Sequence, residues 1–102
     1  MEQNPISELR YFVERLNELS KQAYAAYKPQ VDALINSKTT DNQQIEQLLD
    51  LLLDFCSDSQ MLLLYKKLCR YYWELNPEAT ARYINYYREM WDNESDKIEE
   101  NE

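Results

Sequence analysis

Apolar residues recur along this chain at helical spacing over nearly its whole length. Leu9, Phe12, Leu16, Leu19, Ala23 and Ala26 alternate three and four residues apart, flanked by Val13, Ser20 and Tyr27. That stripe is the seam by which one helix packs against others. The first helix is expected to start at Pro5, capped by Asn4, because proline at the first helical position gives up an N–H that has no partner there. Pro29 lacks the amide of an interior helical bond and crowds the preceding turn. A kink or break is expected there, and Val31, Leu34 and Ile35 resume the period. Residues 36–40 read as a polar loop.

The second helix begins at Thr40 or Asp41, where Asp41 and Gln44 have capping-box spacing. Ile45, Leu48, Leu49, Leu52, Phe55 and Cys56 form its apolar face. The run Ser57-Asp58-Ser59 supplies a tight turn and a new cap. The third helix, from about Ser59 to Leu75, puts Met61, Leu64, Tyr65, Leu68, Tyr72 and Leu75 on one face. Leu62, Cys69 and Trp73 widen that face past half the circumference, as expected of the innermost helix. Asn76-Pro77 repeats the cap-then-proline device and opens a fourth helix. Ala79, Thr80, Tyr83, Ile84, Tyr87, Met90 and Trp91 are read as its inward side. No strand pattern is present, and short connections make neighbouring helices antiparallel. The fold class is therefore all-α: a compact antiparallel bundle of four main helices, the first long and disturbed near Pro29. One domain covers residues 1–92, and residues 93–102 are read as a flexible acidic tail.

Composition removes several chemistries. The chain has no glycine and no histidine among 102 residues. Without glycine there is no phosphate-cradling loop of the usual kind. Without histidine the commonest general base and metal ligand is missing. Cys56 and Cys69 fit no zinc spacing and read as buried thiols in a reducing compartment. No metal or cofactor is expected. The start of the chain is polar and no apolar run reaches membrane-spanning length, so a cytoplasmic protein with no membrane partner is expected.

The net charge of −8 is uneven. Residues 1–59 hold ten acids and five bases, residues 60–88 two acids and five bases, and residues 89–102 seven acids and one base. Most of the acidity is thus terminal, and the C-terminal half of the bundle is basic.

Three groups of side chains are candidate surfaces. Glu46, Asp50, Asp54 and Asp58 recur every four residues as an acidic stripe. Leu51 and Leu63 fall on outward arcs of the second and third helices, and a hairpin about Asp58 places them on the same side. With Tyr11 and Tyr86, which lie off the apolar seams, Leu51, Leu63, Glu46, Asp50 and Asp54 form the expected partner-binding set. Lys66, Lys67, Arg70, Arg82 and Arg88 interleave with six tyrosines between residues 65 and 87, an alternative set suited to phosphates and stacked bases.

The turn from Leu64–Leu75 into Asn76-Pro77-Glu78-Ala79 resembles the end of a tetratricopeptide repeat. Leu53 and Tyr65 stand where that family has small residues, and no second copy follows at its period, so no repeat architecture is expected. The leading expectation is a non-enzymatic interaction or adaptor module that meets a protein partner or itself. The alternatives are a nucleic-acid accessory factor using the basic set, and an acidic inhibitor of a nucleic-acid-binding protein.

Overall fold

The computed structural model describes residues 5–92 as four helices. These are α1 (Pro5–Asn36), α2 (Asn42–Leu53), α3 (Ser59–Leu75) and α4 (Pro77–Trp91). The expected acidic tail, residues 93–102, and the cap Asn4 lie outside the described residues. Within them the all-α expectation holds and no strand is present. No helix among them is long and apolar enough to cross a membrane.

Side chains set each helix start. Asp41 accepts from the backbone N–H groups of Gln43 and Gln44 at 3.1 and 3.4 Å. The Gln44 amide oxygen accepts from the Thr39 hydroxyl instead of closing a reciprocal box on Asp41. Asp58 accepts from Gln60 and Met61, each at 3.1 Å. Asn76 accepts from Ala79 at 3.0 Å, with Pro77 at the first helical position. Each cap satisfies amide groups that the helix cannot bond itself. α2 ends at Leu53, three residues before the expected Cys56, and residues 54–57 make turns.

Helix α1 runs through Pro29 without the expected break, and Val31, Leu34 and Ile35 belong to its last turns. Proline removes the bond to the Ala25 carbonyl, and the Gln30 side chain donates to the neighbouring Ala26 carbonyl at 3.2 Å. Where α1 stops, Lys38 takes a left-handed backbone with φ 58°. Its N–H donates to the Ile35 carbonyl at 3.0 Å. Glycine ordinarily fills such a position.

Helix α3 touches all three others, as its wide apolar face demands. Val31, Ile45, Leu49, Leu52, Met61, Leu68, Tyr72 and Thr80 are fully buried. The core thus draws on the last turns of α1, one face of α2, most of α3 and the first half of α4. It does not reach the first half of α1. The sequence reading made Leu9, Phe12, Leu16 and Leu19 a packing seam, but nothing in the described chain covers them, and Ala23 is the first buried residue. Ile84, Met90 and Trp91 of α4, read as inward, are exposed, as are Trp73 and Leu75 of α3. Two antiparallel hairpins sharing α3 leave one side of α4 without a neighbour. The molecule is accordingly flat, 58 × 40 × 17 Å, and α1 alone is roughly 48 Å long.

Candidate functional site

Two surfaces stand out from the bundle. The first is the N-terminal half of α1. Leu9, Tyr11, Phe12, Val13, Leu16 and Leu19 are 45–62 % exposed on consecutive turns. Residues 7–19 are exposed without exception. Of these, Leu9, Phe12, Val13, Leu16 and Leu19 form a contiguous apolar stripe, a candidate contact surface. Tyr11 is exposed off this stripe and accepts a 3.4 Å hydrogen bond from Arg15.

The second surface is a groove of about 480 Å³ between α3 and α4. Tyr65, Cys69, Ile84 and Tyr87 make its apolar floor and wall, beside the half-exposed indole of Trp73. Lys66, Arg70, Glu74 and Arg88 line its rim. One hydrogen bond and one ring contact tie the floor together. The Tyr65 hydroxyl donates to the Tyr83 carbonyl at 2.7 Å, tying α3 to α4, and Tyr65 meets Tyr87 ring to ring at 6.4 Å. Thr80 is anchored by donating to the Asn76 carbonyl at 2.8 Å.

The five expected basic residues do not share this groove. Lys67 pairs with Asp32 at 2.8 Å, and Asp32 also takes Lys28 at 2.6 Å. This triad joins α3 to α1, and its hydrogen bonds hold the Asp32 carboxyl below, and the Lys28 ammonium above, the ordinary range. Arg82 occupies the opposite side of α4, where its charge reaches the Tyr72 hydroxyl. Lys66, Arg70 and Arg88 are the three that the fold brings together.

The acidic stripe is also divided. The Glu46 carboxylate accepts from the Tyr72 hydroxyl at 2.5 Å, and Asp58 is the cap of α3. Asp50 lies beside the Tyr83 hydroxyl, which it helps to keep protonated. Asp54 is exposed at the end of α2. Leu51 and Leu63 are exposed as expected, at 45 % and 65 %, but they line different grooves. Leu51 faces Gln30, Ala33 and Ser37 on one flank of α1, and Leu63 faces Tyr24 and Lys28 on the other. Helix α1 runs between them. Tyr86 is exposed and packs edge-on against Tyr83 at 5.2 Å, away from the α3–α4 groove.

Most other polar groups serve the fold. The Tyr71 hydroxyl donates to the Thr39 carbonyl at 2.7 Å, and the Trp91 indole donates to the Leu53 carbonyl at 2.9 Å. Burial pushes the Cys56 thiol up to about 12 and the Cys69 thiol to about 11. Neither thiol forms a disulfide. Among the described residues no cluster of acids and cysteines has the arrangement of a metal site. Comparison with family models, curated proteins and solved structures finds no match to this chain.

The sequence carries a signal for both surfaces but does not show which faces stay uncovered. The α1 stripe has proper seam spacing, and only the fold says that no helix lies on its first half. The groove residues were divided between core (Tyr65, Cys69, Ile84, Tyr87) and solvent (Lys66, Arg70).

Proposed function

We propose that this chain is a non-enzymatic helical-bundle interaction module that grips a protein partner through the first half of α1. The observation that carries the reading is the uncovered stripe Leu9, Phe12, Leu16 and Leu19 on a helix anchored from Ala23 onward. Burying such side chains against a second apolar surface is worth about 1.5–3 kcal/mol each when complete. The occupant is an amphipathic helix with its own apolar stripe, since three-four spacing on one rod selects a second rod.

A role without chemical catalysis is supported by where the reactive groups go. Tyrosine hydroxyls bond carbonyl and carboxylate oxygens of other elements, aspartates cap helices, and both thiols are buried and held protonated. A reducing, cytoplasmic setting belongs to the same proposal and rests on the two unpaired cysteines.

The test is photo-crosslinking in the native cell from single positions on the two faces of the α1 arm. A crosslinker at Phe12 or Leu16 should yield a discrete adduct, identified by mass, that is absent when it stands at Glu14 or Lys21. A second copy of the chain in the adduct identifies self-association, and another polypeptide identifies an adaptor. Equal adducts from both faces, or none from the apolar face, end the proposal.

A further inference from the structure

The uncovered stripe of α1 is one half of a longer face. Leu16 and Leu19 run on at three- and four-residue spacing into Ala23, Tyr27, Val31 and Leu34, and these later residues are buried or half-buried against α2 and α3. Phe55, in the turn after α2, meets the Tyr27 ring at 6.4 Å. Gln60 and Leu64, at the start of α3, lie beside Tyr24. The chain's own bundle therefore occupies this face from Ala23 onward. A helix laid on the stripe has room over residues 5–22, about 27 Å of rod, and must end where the α2–α3 turn begins. The arm also differs in charge from the rest of the chain. Residues 5–22 hold three acids, Glu8, Glu14 and Glu18, and three bases, Arg10, Arg15 and Lys21, so the net charge of −8 lies wholly outside them. A balanced arm offers no excess charge to an acidic or basic partner or to an anionic membrane surface.

We propose, resting on the reading of this arm as a docking surface, that its occupant is the same arm of a second copy, laid antiparallel. Each arm then ends against the α2–α3 turn of the other copy, and the two bundles stand at opposite ends of the pair. A parallel copy would drive its own residues from Ala23 onward into the place that α3 of the first copy fills. Centred near Glu14, the antiparallel pair sets Leu9 of one copy level with Leu19 of the other, and Phe12 level with Leu16. Every layer of the seam is then apolar on both sides. Val13 borders the seam on one flank. Glu8 and Arg15 border it on the other, and in this order each arginine lies closer along the axis to the glutamate of the other copy than to its own. Opposite charges therefore face each other across the interface. The length, the spacing and the charge that the site asks for are all met by one segment, the arm itself.

Sedimentation equilibrium of the full chain should give twice the chain mass at micromolar concentration. Leu16→Asp should weaken the association at least about tenfold, with the amide resonances of residues 42–91 in place. Direction is read by oxidative crosslinking of Leu9→Cys and Leu19→Cys, in which Cys56 and Cys69 stay buried. A mixture of the two variants should form a disulfide-linked pair and neither variant alone should do so, because only the mixture brings two exposed sulfurs within bonding reach. Crosslinking of Leu9→Cys with itself gives the parallel order and overturns the proposal. Unchanged association of Leu16→Asp puts the dimer contact elsewhere and overturns it as well. So does a chain that stays monomeric to millimolar concentration. If that monomer still gives a photo-adduct with another polypeptide from Phe12 or Leu16, the docking reading of α1 stands and only the choice of occupant fails. If it instead binds phosphatidylglycerol vesicles through the same face, the arm is a membrane-surface helix and both readings fail.

Discussion

The Tyr72 hydroxyl donates to the Glu46 carboxylate at 2.5 Å, joining the inner helix α3 to the edge of α2. Tyr72 is fully buried up to that oxygen, while Glu46 is only partly covered. A residue that sequence periodicity placed on a solvated stripe thereby becomes the acceptor for the largest fully buried side chain. Tyr72→Phe should lower stability by ~1–2 kcal/mol, read as a shift of the urea midpoint with unchanged slope. No change would mean that water serves Glu46 as well as the phenol does.

Alkaline sensitivity follows from the buried acids. Burial holds Cys56 and Tyr72 up to about 12 and Cys69 to about 11. It also raises Tyr65, Tyr83 and Tyr87. Each of these groups binds its proton more tightly folded than unfolded. Their contribution is intact below the ordinary values of 9.0 for cysteine and 10.0 for tyrosine, and is lost as pH rises through the folded values. Helicity should therefore collapse between pH 9 and 12, together with the absorbance change of tyrosinate formation. Full ionisation of all nine tyrosines on an intact helical spectrum would contradict this.

Lys38 stands in left-handed backbone with φ 58° in a chain that has no glycine. That conformation costs a side-chain-bearing residue ~1–2 kcal/mol. Lys38→Gly should raise the thermal midpoint by relieving it, with part of the gain offset by the greater freedom of the unfolded chain. A lowered midpoint would show that the lysine side chain supplies more than the backbone strain removes.

Leu63 and Leu64 are sequence neighbours with opposite surroundings, 65 % and 4 % exposed. Leu63→Asp should change stability by no more than about 0.5 kcal/mol, whereas Leu64→Ala should cost ~2–5 kcal/mol. Denaturant melts of the pair measure whether the flank of α1 beside Leu63 is as open as the fold implies.

Much of this fold is legible in the sequence because helix ends and helix faces are local properties. Asp41, Asp58 and Asn76 cap where their spacing says they should, and α3 is internal because its apolar arc is too wide for any other place. Which helix covers which face is not local. The stripe from Leu9 to Leu19 has the same spacing as a buried seam, so periodicity cannot distinguish a face covered by its own chain from one left open. The α3–α4 groove is hidden from the sequence for a related reason. Its floor reads as core and its rim as solvent, and only the uncovered side of α4 at Ile84 turns the two into one surface. Glu46 was misread as wholly solvated because a tyrosine reaching across from α3 leaves no trace in the sequence around it.

The anchoring of α1 from Ala23 to Asn36 has a consequence for its outer half. A detached segment of that length is marginal as a helix, since starting the first turn is the costly step. Joined to a packed stretch, it only has to extend a coil already begun, and it loses structure from its tip inward. The bundle thereby primes a rod that would not hold its shape in isolation.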